Sequence, residues 1–309
     1  MNHLHMPGRE IPVLGEYDVI VMGGGTAGAF AGIAASRRGS RTLIIEQFGA
    51  LGGSATLGLV LPLMSTHMPN YRGHCPLSAE LVERLRAVGG VEDDDYYFDT
   101  AMMKVVLEDM AVESGCTLLY YTALVDVVRE GDTVTHVIVS NKDGLTAYAA
   151  KCFVDGTGDA DLAKAAGVPY ESGNHNRVNQ PVSLRFEMAG IDFDRFHAFM
   201  RSLGNNAHKY FAMNTAGMKE VLQKAHDDGV LTGQDICYFQ AFGIPGRPDA
   251  MNFNCPELAT KVDVVDPAFM TQKQIEGKKA ILRLRTFLRR YVPGFENAYI
   301  TEIAQLVGF

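Results

Sequence analysis

The stretch of sequence that decides the fold is residues 17–46, YDVIVMGGGTAGAFAGIAASRRGSRTLIIE. It opens with Tyr17–Met22, a short β-branched run that is typical of a buried strand. A glycine-rich loop follows, and then a helix of small residues is predicted from about Ala27 to Arg38, ended by Gly39. A second strand is predicted over Arg41–Ile45. The stretch therefore predicts one strand–turn–helix–strand unit.

The loop of this unit matches the pattern G-x-G-x-x-G at Gly23, Gly25 and Gly28. The first glycine permits the tight turn, the second lets the backbone approach a pyrophosphate, and the third lets the helix lie close to the sheet. The helix N-terminus, at Thr26 and Ala27, offers N–H groups and a positive dipole end to phosphate groups. Since an acidic residue, Glu46, closes the second strand at the spacing expected for a ribose ligand, the unit predicts a dinucleotide.

Two further features favour FAD over NAD as this dinucleotide. Gly52 and Gly53 follow soon after Glu46, where an extended chain can run along a long cofactor. After a predicted β-meander, the strand Lys151–Asp155 again ends in glycines, at Gly156 and Gly158. An NAD domain would instead continue with regular βα units, so the NAD alternative is the weaker of the two.

The rest of the chain predicts a β-meander and then a second region with a different pattern of strands and helices. Four short alternating runs between 116 and 150 predict the meander, Val182–Met188 a strand, and Thr271–Tyr291 a long helix. The predicted fold is α/β: a three-layer Rossmann-type domain, with a parallel sheet and a β-meander crossover, and an α+β substrate-side domain. The expected boundaries are an N-terminal extension over 1–16, the FAD-binding domain over 17–167 and the substrate domain over 168–309.

With these motifs in view, the chain resembles the FAD-dependent oxidoreductase family that includes flavoproteins of the heterodisulfide-reductase type. The resemblance rests on YDVIVMGGGTAG (17–28), IEQFGALGGSAT (45–56) and FVDGTGDADLA (153–163), with a weaker match at QPVS (180–183). It implies a glutathione-reductase-like FAD fold. The cysteine clusters of iron–sulfur members have no counterpart here, which argues against electron bifurcation.

The resemblance also implies which residues hold each part of FAD. The adenosine half would lie on the first glycine loop and the end of the second strand, with the backbone of Val125 near the adenine. The residues expected to bind FAD are Gly23, Gly25, Thr26, Ala27, Gly28, Glu46, Gln47, Gly52, Gly53, Ser54, Ala55, Thr56, Val125, Gly156, Thr157, Gly158 and Asp161. Gly52–Thr56 would lie on the flavin side, and Gly156–Asp161 near the pyrophosphate and ribityl chain.

One departure from the family leads to a further expectation. Its members end with a strand and helix that return to the first domain and cover the pyrimidine edge of the flavin. This sequence stops at Phe309 in an apolar, strand-like run, with no third glycine motif after 167. We therefore expect these residues to form an incomplete version of a longer flavoprotein.

Four side chains are candidates for chemistry beside the flavin. His67 and His74 lie in the loop after the flavin-side glycines and have a pKa suited to proton transfer near neutrality. Cys75 is a candidate redox thiol, although no second cysteine lies beside it. Arg185 could present its guanidinium to an anionic substrate. An ordinary structural or surface role remains the alternative for each of them.

Composition narrows the class of protein further. A net charge of −8 over 309 residues argues against non-specific nucleic-acid binding, and no apolar run is long enough to span a bilayer. The five scattered cysteines form no metal or disulfide framework and suit a reducing cytoplasm. The favoured function is an FAD-dependent oxidoreductase that accepts a hydride from a small organic substrate. The alternatives are an electron-transfer subunit, an NAD-linked dehydrogenase and an inactive truncated flavoprotein.

Overall fold

A computed structural model describes residues 8–64, 75–92, 96–208, 210–212, 216–258 and 266–308. Its strands are β1 (Val13–Met22), β2 (Thr42–Ile45), β3 (Thr117–Leu119), β4 (Ala123–Glu130), β5 (Thr133–Asn141), β6 (Gly144–Asp155), β7 (Val182–Ser183), β8 (Phe186–Ala189), β9 (Tyr210–Ala212), β10 (Gln240–Ile244), β11 (Arg247–Asn254), β12 (Glu257–Leu258) and β13 (Tyr299–Ile303). Its α-helices are α1 (Thr26–Arg37), α2 (Pro76–Ala87), α3 (Thr100–Glu113), α4 (Asp161–Ala165), α5 (Phe193–Ser202), α6 (Ala216–Asp227) and α7 (Pro267–Tyr291). A 3-10 turn covers Gly53–Ala55.

The chain divides into two compact units, each built from two separate stretches of sequence. The first unit comprises 1–53 and 107–170, and the second comprises 54–106 and 171–309. The segment 54–106 therefore interrupts the first unit. The boundaries expected from the sequence, at 16/17 and 167/168, stay predictions.

The first unit is built on a six-stranded sheet in the order β3-β2-β1-β6-β5-β4. Strand β1 pairs in parallel with β2 on one side and β6 on the other, with Ile20 opposite Leu43 and Phe153. The central strands are rich in Val, Ile and Leu because both faces of a parallel sheet are covered. Ile20 and Leu43 are accordingly buried. The predicted α/β fold with a parallel sheet is confirmed.

The meander differs from the prediction at its last strand. The sequence predicts separate strands over Thr146–Ala150 and Lys151–Asp155, but β6 is one strand of twelve residues. It pairs antiparallel with β5 through residues 144–149 and parallel with β1 through residues 147–155. The strand needs no break, because β5 pairs along one of its edges and β1 along the other, and the two pairings overlap at residues 147–149.

The second unit contains a five-stranded antiparallel sheet in the order β13-β8-β11-β10-β9. Phe186 and Met188 of β8 pack with Phe253 of β11 in its hydrophobic core, where Phe186 and Phe253 stack at 4.6 Å. The alternate residues are polar, and Glu187 pairs with Asn252 on the neighbouring strand. The sheet therefore has one apolar face and one face that carries buried polar groups.

Two predictions for the second unit were wrong in detail. The single strand expected over Val182–Met188 is split, since β7 and β8 belong to different sheets. The spacing of the basic residues on the long helix also predicts a solvated face that includes Arg283, but Arg283 makes a bidentate ion pair at 2.7 and 2.8 Å with buried Asp235. None of the helices in the described ranges is both long and apolar enough to cross a bilayer.

Candidate functional site

Three glycines of the first unit lie so close together that none has room for a side chain. A Cβ atom on Gly28 would lie 1.9 Å from the carbonyl oxygen of Gly23, and one on Gly23 would lie 2.5 Å from the carbonyl of Gly156. Gly23 also has a φ of +87°, which favours glycine. The end of β1, the first turn of α1 and the end of β6 therefore meet backbone to backbone.

Gly25 differs from these three glycines because its open side faces no close neighbour. Among the described residues, the atom nearest to a Cβ built there would be the Gly156 oxygen, at 3.5 Å. Gly25 is the N-cap of α1, and no side chain in the described residues caps that helix, whereas α5 and α7 are capped by Asp192 and Asp266. An uncapped helix start beside open space fits a phosphate group.

The second glycine segment runs beside the first. The Gly52 N–H donates to the Gly24 carbonyl at 2.9 Å, and the Thr26 hydroxyl donates to the Gly52 carbonyl at 3.0 Å. A Cβ on Gly53 would lie 3.0 Å from the Cα of Gly25. Residues that are separated by about 25 positions in the sequence therefore form one groove of bare backbone.

Glu46 shapes the first glycine loop as well as ending β2. Its carboxylate is buried and accepts hydrogen bonds from the Gly24 N–H at 2.7 Å and the Phe48 N–H at 2.8 Å. Each oxygen has a second lone pair that can accept from a ribose hydroxyl. The predicted contacts of Glu46 and of exposed Gln47 with adenosine stay predictions.

Asp155 organises the turn at the end of β6, a role that sequence analysis did not assign. One carboxylate oxygen accepts from the Thr157 N–H at 3.0 Å and from its hydroxyl at 2.7 Å, while the other accepts from the Ala163 N–H. The Thr157 hydroxyl in turn accepts from the Asp161 N–H at 2.9 Å. This chain of hydrogen bonds fixes the Gly156–Asp161 segment before any ligand binds.

Charge accumulates at the same turn, where Asp159 and Asp161 follow Asp155. Loss of hydration raises the pKa of Asp159, and the charges of Asp161 and Asp155 raise it further. Loss of hydration and the charge of Asp155 likewise raise the pKa of Asp161. This end of the turn suits hydroxyl groups better than phosphate groups, since neighbouring carboxylates repel an anion.

Val125 lies at an irregularity of strand β4. The pairing with β5 passes from Leu124–Val139 to Asp126–Ile138, so Val125 has no partner in the register. Such a β-bulge leaves the backbone of the extra residue available to a ligand. A bulge at this position is consistent with the expected contact between the Val125 backbone and the adenine.

The four candidate catalytic residues differ in where they lie and in what surrounds them. His67 and His74 lie outside the described residues. Cys75 is exposed and unpaired, and its carbonyl accepts the Ala79 N–H at the start of α2. Arg185 lies on the polar face of the second unit's sheet, where it is nine-tenths buried.

A polar network beside Arg185 has no local signal in the sequence. Arg247 binds Asp99 through two guanidinium nitrogens and Glu187 through the third, at 3.1 Å. The Asn252 amide donates to Glu187 at 3.3 Å and to the Leu59 carbonyl at 3.2 Å. Burial raises the pKa of Glu187 to about 6, although the charge of Arg247 opposes that shift. Through Arg247, at the start of β11, the ion pairs link Asp99 with Glu187 of β8.

The second unit also contains a cavity of about 430 Å³. Aromatic and histidine side chains line it, including Tyr97, Phe193, His197 and His208. Burial lowers the pKa of His197, which keeps its imidazole neutral near pH 7. Neither Arg185 nor Cys75 lines this cavity.

The paired glycine segments, the uncapped helix and the mixed sheet define an FAD-binding α/β protein. The family model for FAD-dependent oxidoreductases matches residues 18–309. The chain belongs to this family, and FAD is its cofactor. The predicted family, fold class and cofactor are therefore confirmed, and the NAD alternative is set aside.

Two curated relatives share parts of the sequence. The tRNA uridine 5-carboxymethylaminomethyl modification enzyme MnmG of Exiguobacterium sibiricum is 27% identical over 211 residues, which cover 59% of this chain and 31% of that enzyme. The thiamine thiazole synthase of Aeropyrum pernix is 32% identical over 123 residues, 40% of this chain and 43% of the synthase. The matched segments span less than half of either enzyme.

Solved structures share the fold at low sequence identity. A geranylgeranyl bacteriochlorophyll reductase-like protein from Thermoplasma acidophilum superposes with a TM-score of 0.58 at 14% identity, covering 95% of this chain and 66% of that one. The p-nitrophenol 4-monooxygenase PnpA of Pseudomonas putida gives 0.55 at 10% identity, covering 94% and 67%. At these identities the likeness concerns the fold alone.

Proposed function

We propose that this protein is an oxidoreductase whose FAD accepts a hydride from a small organic substrate. The observation that supports it best is the groove of bare backbone, in which Gly52 and Gly53 run beside Gly25 at an uncapped helix start. A bound flavin would supply the hydride-accepting ring, and the protein would supply orientation and electrostatics.

The residues around the groove would divide the work of holding FAD. The first-turn N–H groups of α1, from Thr26 to Gly28, would donate to the pyrophosphate. Glu46 would accept from the ribose hydroxyls, and the backbone of the Val125 bulge would pair with the adenine edge. Carboxylates at the Gly156–Asp161 turn would accept from hydroxyls of the ribityl chain.

The flavin side of the groove would be the segment Gly52–Thr56. Its 3-10 turn covers Gly53–Ala55, and the backbone carbonyl of Ser54 accepts a hydrogen bond from the Val60 N–H at 3.0 Å. A Cβ on Gly58 would lie 2.8 Å from the Ser54 oxygen, so the segment folds tightly on itself. A rigid backbone turn of this kind would hold the flavin ring in a fixed orientation.

We also propose that the protein works in the cytoplasm. All five cysteines are free thiols, and Cys75, Cys152 and Cys237 are exposed. Exposed thiols stay reduced most readily in a reducing compartment.

The test is the reaction of the bound flavin. The protein as purified should show flavin absorption bands, and these should bleach without oxygen when the right member of a panel of amines, hydroxy acids and polyols is added. Readmission of oxygen or an artificial acceptor should restore the bands. A flavin that the whole panel leaves oxidised, but that a protein electron donor reduces, would instead indicate an electron-transfer subunit.

A further inference from the structure

Arg185 is a buried cation whose charge no carboxylate balances in the described part of the chain. It is 8% exposed, and burial lowers the pKa of its guanidinium to about 10, so it stays charged at neutral pH. The other ionisable groups that act on it are Tyr238 and Cys255. Burial raises the pKa of both, so both are neutral near pH 7.

Two other partly buried arginines of this unit are paired with buried carboxylates. Arg247 lies between Asp99 and Glu187, and Arg283 binds Asp235. An ionised group is costly to bury unless an opposite charge accompanies it. Arg185 is more deeply buried than Arg247 or Arg283, yet it has no such carboxylate partner among the described residues.

The hydrogen bonds of Arg185 use only one of the three guanidinium nitrogens. Both come from Nη1 and both are long, at 3.4 Å to the Leu59 carbonyl and 3.4 Å to the Asn252 amide oxygen. Nε and Nη2 form the other edge of the fork and have no partner among the described residues. The guanidinium also lies 5.6 Å from the centre of the Phe242 ring. The group is held from one side and open on the other.

Asn252 keeps this arrangement fixed. Its oxygen accepts from Arg185, while its amide donates to the Leu59 carbonyl and to Glu187. Glu187 is in turn bound by Arg247. The neighbouring Asn254 binds the Tyr238 hydroxyl at 2.9 Å, which adds further neutral polar groups to the same face of the sheet.

We propose that Arg185 binds the carboxylate of a small monocarboxylate substrate through Nε and Nη2. The planar fork matches a carboxylate in two parallel hydrogen bonds. A dianion such as phosphate fits less well, because one positive charge balances only half of its negative charge. The carboxylate of Glu187 is also near, since Asn252 binds both Glu187 and Arg185. The proposal rests on the proposed function, since it names the class of substrate that the flavin would oxidise.

The residue that Arg185 contacts lies close in sequence to the predicted flavin-side segment, and this supports the proposed role. Leu59, which accepts its hydrogen bond, follows three residues after Thr56 at the end of the predicted flavin-side segment. Leu59 has a φ of +56°, unusual for a leucine, and this conformation points its carbonyl at both Arg185 and Asn252. The chain that would hold the flavin thus continues directly into the contact with Arg185.

The test measures binding of simple carboxylates by calorimetry in chloride-free buffer, on the protein as purified. Acetate, propionate and benzoate are compared with acetamide, propionamide and benzamide, and with inorganic phosphate. The carboxylates should bind and the amides and phosphate should not. R185Q should weaken carboxylate binding about 10- to 100-fold, the loss expected for a charge-assisted hydrogen bond. R185K should keep part of it.

Thermal unfolding separates a binding role from a structural one. R185Q removes an unbalanced buried charge and should unfold at the same temperature as wild type or higher. R247Q, the matched control, leaves Asp99 and Glu187 unpaired and should unfold at a lower temperature. The proposal is overturned if amides bind as well as carboxylates, if no carboxylate binds, or if R185Q is destabilised like R247Q. The visible spectrum reports flavin content separately, so loss of FAD would count against the proposed function only.

Discussion

Replacing Gly25 by alanine should separate cofactor binding from folding. Gly25 has φ −57° and ψ 179°, an extended conformation that alanine adopts freely. The added methyl group would come no closer than 3.5 Å to the rest of the chain, at the Gly156 oxygen. Nothing in the described part of the chain therefore opposes the substitution, while a pyrophosphate lying against this backbone would.

The expected magnitudes follow from that geometry. Alanine is a poorer N-cap than glycine by roughly 0.5–1 kcal/mol, but it also restricts the unfolded chain, which stabilises the fold by about 0.4–1 kcal/mol. The two effects offset each other, so the flavin-free protein should change in unfolding free energy by less than about 0.5 kcal/mol. The dissociation constant for FAD should rise about 10- to 100-fold for each phosphate hydrogen bond lost.

Gly28→Ala is the matched control in the same turn. Its methyl group would lie 1.9 Å from the Gly23 oxygen and 3.2 Å from Val21 Cγ1, so helix α1 would have to move by about 1 Å. Overpacking of this kind costs about 3 kcal/mol, against a gain of about 1 kcal/mol from helix propensity. G28A should therefore lose about 2 kcal/mol of stability even without flavin.

The assay pairs urea unfolding of the stripped protein with a fluorescence titration of FAD. The expected pattern is a G25A protein as stable as wild type that binds FAD weakly, and a G28A protein that is unstable from the outset. Wild-type FAD affinity in G25A would refute the placement of the pyrophosphate. Wild-type stability in stripped G28A would refute the close packing of the three glycines.

Glu46→Ala should weaken FAD retention and also lower the unfolding free energy by about 2 kcal/mol, because the N–H groups of Gly24 and Phe48 lose their acceptor. Flavin content and urea unfolding measure the two effects, and undiminished FAD binding would show that the ribose assignment is wrong. Glu187 has a pKa raised from 4.5 to about 6, so its protonated form favours folding and that contribution is lost as pH rises from 4.5 through 6. The loss is about 2 kcal/mol. Urea unfolding across this range should show it in wild type and lack it in Glu187→Gln; parallel profiles would contradict the role of Glu187.

The parts of the fold that sequence predicts well are those with local signals. The β1–α1–β2 unit follows from a hydrophobic run, a glycine pattern and a closing carboxylate within thirty residues of each other. Asp99 and Thr100 likewise stand just before an apolar helical run, where the sequence predicts a cap, and Asp99 accepts hydrogen bonds from the Ala101 and Met102 N–H groups. In each case the residues that make the structure are neighbours in the chain.

The remaining features depend on residues that are far apart. Arg247 and Asp99 are 148 positions apart, so no spacing rule pairs them. Arg185 is recognisable in the sequence as a possible anion ligand, but its burial without a counter-charge depends on which side chains reach it. Glu46 is similar, since its spacing predicts a ribose ligand while its hydrogen bond to Gly24 emerges only from the folded loop.

The bulge at Val125 also helps to protect the sheet of the first unit from pairing with other polypeptide chains. Strand β4 forms one edge of the six-stranded sheet, and its pairing is irregular again between Val128 and Arg129. Exposed Asp126 and Glu130 place charge along the same edge. At the opposite edge β3 is only three residues long. Bulges, charges and short strands discourage a second polypeptide from adding to a sheet, so both borders of this one resist aggregation.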